Sequence, residues 1–190
     1  MNPADGGIPT TLIPVRPETL HPNSDWPQIW LNMRTSGLGS ELSSFLFKLL
    51  HGLLPTQDRV ARIGMADNGM PGVCLHCRAS TETLQHCFFE CPDSMVAGLA
   101  LLGYAQAVVP DLSPEDALLL DFHQNLSMED QLAVCVLLST GLKYIWEARV
   151  CKKTVAVFRM RAEIEARVSI LRRTRHNPSS AIVEQSLLQM

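Results

Sequence analysis

Four candidate metal ligands set close together constrain this chain more than anything else in it. Cys74, Cys77, His86 and Cys91 are spaced Cys-x2-Cys-x8-His-x4-Cys. A Cys-x2-Cys pair lets one tight turn aim two thiolates at a single point. A His and a Cys from the next short helix then complete a closed tetrahedral set of the kind zinc takes. Four protein ligands leave no position open for water, which makes such a site a structural clip rather than a catalyst. The same stretch also holds Cys87 and His76. Cys74, Cys77, Cys87 and Cys91 form a competing all-cysteine set, because Cys87 and Cys91 stand four apart and share a helix face. His86 and Cys91 stand five apart, a spacing that works where a helix begins or ends loosely. His76 reads as a solvated turn residue.

The surroundings favour metal over disulfide. Six cysteines occur in a chain whose first residues, Met-Asn-Pro-Ala-Asp-Gly-Gly, lack the basic start and apolar core of an export signal. That points to an intracellular setting, nuclear or cytoplasmic, where thiols stay reduced. The longest nonpolar run, Leu132 to Leu138, is too short to span a bilayer, so no membrane role is expected. Hydrophobic residues make up 46% of the 190, enough for a real core.

The pattern along the chain is helical throughout, with no convincing period-2 strand. We read an all-α fold: a small zinc knuckle followed by a helical bundle. Five of the twelve prolines fall in residues 1–22, a disordered leader. Residues 23–92 hold helices and the knuckle, residues 93–176 the bundle with a basic last helix, and residues 177–190 a tail. Leu42, Phe45, Leu46, Leu49, Leu50 and Leu53 trace one helix face behind Ser40 as a cap, with Pro55 interrupting the helix. Thr56 caps a short helix that Gly64 stops. Ser80 or Thr81 caps the helix carrying His86, and Asp93 or Ser94 opens the next. Ser113-Pro114-Glu115 is a strong start signal, because serine caps, proline suits the first turn and glutamate favours the dipole. Ser127 opens a helix to about Cys151 that is apolar nearly all round and therefore buried. Val157, Met160, Ile164, Val168 and Leu171 place a stripe on the last long helix. Cys135 and Cys151 read as buried thiols.

A net charge of −3 conceals an asymmetry. From Lys143 to His176 there are ten Lys or Arg against three Glu, whereas the remainder carries six basic and sixteen acidic residues. A basic end on an acidic chain is the footprint of a phosphate-binding element, although long helices also carry solvated Arg and Lys. Arg159, Arg172 and Arg173, outside the apolar stripe, are the candidate nucleic-acid contacts.

Two linked pieces of sequence resemble the zinc-binding module at the C-terminal end of non-LTR (LINE-type) retrotransposon reverse transcriptases. One is Phe47-Lys-Leu-Leu-His-Gly-Leu-Leu-Pro-Thr-Gln-Asp-Arg-Val-Ala-Arg-Ile-Gly64. The other is Cys74-x2-Cys77, then Glu82-Thr83 leading to His86 and Cys91-Pro92. A later Tyr144-Ile-Trp-Glu-Ala-Arg149 resembles the aromatic-tryptophan helix that often follows, so the likeness covers residues 24–151. It implies zinc held by Cys74, Cys77, His86 and Cys91. It also implies a non-catalytic accessory to target-primed reverse transcription that holds RNA or target DNA, and the missing reverse transcriptase portion as a further partner.

No catalytic residues are expected. The sequence has no Tyr-x-Asp-Asp strand to hold polymerase metal ions and no Pro-Asp followed by Glu-x-Lys of a nuclease. It also lacks a Gly-rich nucleotide loop. The chain then reads as a fragment, relic or domesticated module of such a protein. The competing reading is a zinc-stabilised helical protein-interaction module without nucleic-acid binding.

Overall fold

The computed structural model describes residues 16–35, 37–65, 71–122 and 126–175, excepting the side chains of Leu20, Thr35, Arg172, Thr174 and Arg175. Most of the leader, the loop from Asp67 to Met70, His123, His176 and the tail beyond it lie outside the described residues. What is described is helical: α1 (Pro17–Leu20), α2 (Trp26–Thr35), α3 (Ser40–Leu50), α4 (Gln57–Arg62), a π-helical turn (His86–Glu90), α5 (Met95–Gln106), α6 (Pro114–Leu119), α7 (Met128–Val150) and α8 (Val157–Arg175). The one extended pairing among the described residues is an isolated antiparallel bridge between Val73 and Thr81.

Local chemistry sets most helix ends. The Thr56 hydroxyl accepts the Arg59 amide at the start of α4. The α4 end closes at Gly64, whose φ of 72° only glycine adopts without cost, while the Met65 amide returns to the Val60 carbonyl. Ser113 and Asp116 form a reciprocal capping box at α6, and Ser127 accepts the Asp130 amide at α7. Ser94 holds the cap position of α5 as expected, with its hydroxyl turned to the Cys87 carbonyl at 2.5 Å, which ties the π-helical turn to α5. Two other expectations near helix starts differ. Gly39, not Ser40, occupies the cap of α3. Part of the expected leader is helix: α1 seats a buried Pro17, and the Trp26 indole donates to the His21 carbonyl just after it.

α7 is the central element, packing on α2, α3, α5, α6, α8 and the π-helical turn. It has no solvent face through its middle: every residue from Leu132 to Leu142 is buried. That follows from an apolar circumference, which has nowhere to go but the interior. α8 lies along it on the expected stripe, with Met160, Ile164 and Val168 buried and Val157 and Leu171 half-buried. One core cluster joins Phe45 and Phe88 to Leu101, Val134 and Met160, so it includes residues on both sides of residue 92. Two glycines permit close crossings. At Gly141 a Cβ would meet Leu101, and at Gly98 it would lie 1.9 Å from the Phe88 carbonyl oxygen. Cys135 is buried as expected, whereas Cys151, at the C-terminal cap of α7, is exposed because the chain turns away there through Lys152 in the left-handed region.

Candidate metal centre

The knuckle is built by two tight backbone devices. The Cys74 amide donates to the Ser80 carbonyl and the Arg78 amide returns to the Cys74 carbonyl, curling Cys74 to Cys77 into one turn. Arg78 adopts φ 56° to close it. Ser80 and Thr81 are spent on this turn and the bridge to Val73. The following helix therefore starts later than expected, and Thr83 is the residue whose hydroxyl accepts the His86 amide at 3.1 Å.

That helix widens into a π turn, with the Cys91 amide donating to the His86 carbonyl at 2.8 Å. An i to i+5 bond puts residues five apart on one side. In an α-helix the partner of Cys91 would be Cys87; in the π turn it is His86. The ligand atoms of Cys74, Cys77, His86 and Cys91 accordingly lie within 4.8 Å of one another, and Cys87 is not in the group. Burial pushes the Cys87 thiol up, so it sits in the core as a neutral side chain.

The separations suit a metal. Cys74 Sγ stands 3.9 Å from Cys91 Sγ, and Cys77 Sγ 3.4 Å from His86 Nε2. A tetrahedral ion with bonds of about 2.3 Å to sulfur and about 2.0 Å to nitrogen would hold such pairs about 3.8 and 3.5 Å apart. The set is soft and shielded: Cys74 and Cys91 are fully buried and His86 nearly so. With Nε2 facing the sulfurs, His86 Nδ1 faces the Glu90 carboxylate at 3.9 Å, the side from which a ligating imidazole is usually steadied. His76 does not join the group. It is half-buried and pairs with Asp93 at 3.3 Å, so it is not the freely solvated residue its position in the turn implied.

Two residues beside the centre were not legible as part of it. Glu82, 6% exposed, accepts the Gln57 amide at the start of α4. Arg149, 4% exposed at the end of α7, donates from Nη2 to Glu82 at 3.0 Å and to Cys74 Sγ at 3.4 Å. Burial works against the Arg149 charge, but the adjacent cysteines hold its pKa above the ordinary range. Glu82 and Arg149 appeared in the family-like stretches of sequence, and nothing there paired them.

The basic residues singled out from sequence are dispersed along α8. Arg159 and Arg173 are exposed and fourteen positions apart, about 21 Å at 1.5 Å per residue; the Arg172 side chain lies outside the described residues. Arg161 and Arg167 form in-helix ion pairs with Glu165 and Glu163. Arg159 instead lines a groove of about 870 Å³ between α3, the end of α7 and the start of α8. Phe45, Leu54, Tyr144 and Trp146 contribute to it, and Lys48, Lys143 and Lys153 bring further cations. Lys143 is engaged by Glu41 and Glu147, while Lys48 and Lys153 are exposed.

Residues 16–96 match the family described as zinc-binding in reverse transcriptase. The stretch runs from α1 into the first turn of α5 and takes in all four ligand candidates, so this part of the chain is similar to an accessory zinc-binding domain of reverse transcriptases. It covers less than half of the chain, and the Tyr144–Arg149 helix lies beyond it. No curated protein and no solved structure matches the chain. No helix among the described residues is long and apolar enough to cross a membrane.

Proposed function

We propose that this chain is a non-catalytic, zinc-stabilised nucleic-acid-binding module derived from a non-LTR retrotransposon reverse transcriptase. In this reading Cys74, Cys77, His86 and Cys91 hold one zinc ion, whose role is to clip the knuckle shut. All four positions of a tetrahedral ion are taken by protein, so no water is activated there. The work of the module is to hold RNA or target DNA near a polymerase carried elsewhere.

The observation that carries the nucleic-acid part is the groove. Its wall presents Lys48, Lys153 and Arg159 to solvent, beside the aromatic side chains of Tyr144 and Trp146. Cations beside ring faces suit a flexible strand, with phosphates on the former and bases on the latter. The apolar floor and the exposed Phe158 (71%) favour the second reading, a protein-interaction module. Fluorescence anisotropy with labelled single-stranded RNA and DNA, on zinc-loaded protein over a range of salt, separates the two. Nucleic-acid binding predicts that replacing Lys48, Lys153 and Arg159 together by Gln weakens binding to every sequence. It also flattens the slope of log affinity against log salt by about two units, at about 0.7 per phosphate contact on a single strand. No binding at physiological salt by the unaltered protein would reject it.

A further inference from the structure

The guanidinium of Arg149 is unusual in three respects. It is almost wholly removed from solvent, it shares one nitrogen between a carboxylate and a ligand sulfur, and its other terminal nitrogen, Nη1, is buried without a hydrogen-bond partner among the described residues. A buried ion pair is an expensive way to join two elements, and well-packed apolar side chains often do it as well. A guanidinium held to Glu82 alone gains nothing from facing sulfur. Three thiolates around a divalent ion leave one net negative charge, however, and a cation against Cys74 offsets it. Arginine also suits the task because its guanidinium stays charged when buried, where a buried lysine readily gives up its proton, and Nη2 can still donate to both the carboxylate and the sulfur.

We propose that Arg149 is a positioning residue of the metal centre. It orients the Cys74 sulfur, damps its negative charge, and fastens the ligand turn to the end of α7. The inference rests on the metal-binding reading of the four ligands. The matched segment ends at residue 96, but the metal centre then extends to residue 149. Ala148, Val150 and Cys151, the neighbours of Arg149, line the groove, so the same contact joins metal occupancy to the shape of that surface.

Three full-length variants test this. Arg149→Met removes the cation but leaves Glu82 buried and unpaired, and so disturbs folding as well. Arg149→Met with Glu82→Leu removes both charges and should restore the fold while leaving Cys74 without its donor. Glu82→Gln keeps an acceptor and the contact to sulfur. Zinc affinity is read by competition with a chromophoric chelator, and the cobalt-substituted proteins report sulfur-to-metal charge transfer. The Arg149→Met/Glu82→Leu protein should bind zinc about 10- to 100-fold more weakly. Its charge-transfer band should move to lower energy, because a sulfur without its hydrogen bond gives up electrons more easily. Glu82→Gln should hold the band where the unaltered protein has it. If the folded double variant binds zinc as tightly as the unaltered chain with an unmoved band, Arg149 is a structural ion pair only and the proposal falls. If the unaltered chain itself takes up no metal, the metal-binding reading fails first and this inference with it.

Discussion

Replacing Gly98 with alanine sets two well-measured effects against each other. Inside a helix the change should stabilise by about 0.8–1 kcal/mol, since glycine loses more backbone entropy on folding. Gly98 lies in α5 where it crosses the π-helical turn, and an alanine Cβ there would fall 1.9 Å from the Phe88 carbonyl oxygen, 3.0 Å from its carbon and 3.1 Å from the Phe89 ring. Contacts below 3.0 Å essentially never occur, so α5 and the turn must separate by at least 1.1 Å, the gap from 1.9 to 3.0 Å. No rotamer can yield, because the obstacle is backbone. Phe88 is fully buried and sits in the segment that aligns His86 with Cys91. Overpacking of this kind costs about 1–3 kcal/mol or more, which outweighs the propensity gain. Gly103, in the same helix, has nothing within 4 Å of its would-be Cβ, so Gly103→Ala should show the gain alone. The propensity gain is common to both, so the two variants should differ by the overpacking cost of about 1–3 kcal/mol, which at about 2–4 °C per kcal/mol for a chain of this size is about 2–12 °C. Thermal and urea unfolding of the zinc-loaded proteins, followed by circular dichroism, gives the comparison. Gly98→Ala should also weaken zinc binding, while Gly103→Ala leaves it alone. A Gly98→Ala protein that melts with or above Gly103→Ala would refute the close-crossing argument.

The remaining expectations concern ligand choice and capping. His86→Ala should abolish stoichiometric zinc in elemental analysis, whereas Cys87→Ala should retain it and lose only on the order of 1 kcal/mol of packing; the reverse outcome would restore the four-cysteine set. Ser113→Ala removes the reciprocal cap of α6 and should cost about 1 kcal/mol in urea unfolding. Zinc content should not change, because α6 packs on α3 and α7 and supplies no ligand; a fall in zinc content would show that the capping box supports the knuckle.

Much of this protein is local and was therefore legible. The caps at Thr56, Ser113 and Ser127, the stop at Gly64, the inner faces of α3 and α8 and the all-round burial of α7 each follow from residues within a turn or two of one another. The all-helical class and the spacing of the four candidate ligands come from the same short windows. Three features came only with the tertiary structure. Whether His86 or Cys87 faces Cys91 depends on a π turn, and α and π turns differ by one residue in a register that hydrophobic periodicity does not resolve. Cys151 reads like Cys135 in a helical pattern, yet it lies where α7 runs out of neighbours. Arg149 stands 67 positions from Glu82 and 75 from Cys74, and along α7 alone it is one more arginine near a helix end. Its burial requires that the last turn of α7 be packed on the knuckle. That packing is a cooperative result of α5, α7 and the π turn filling one core, and no stretch of a few residues carries it.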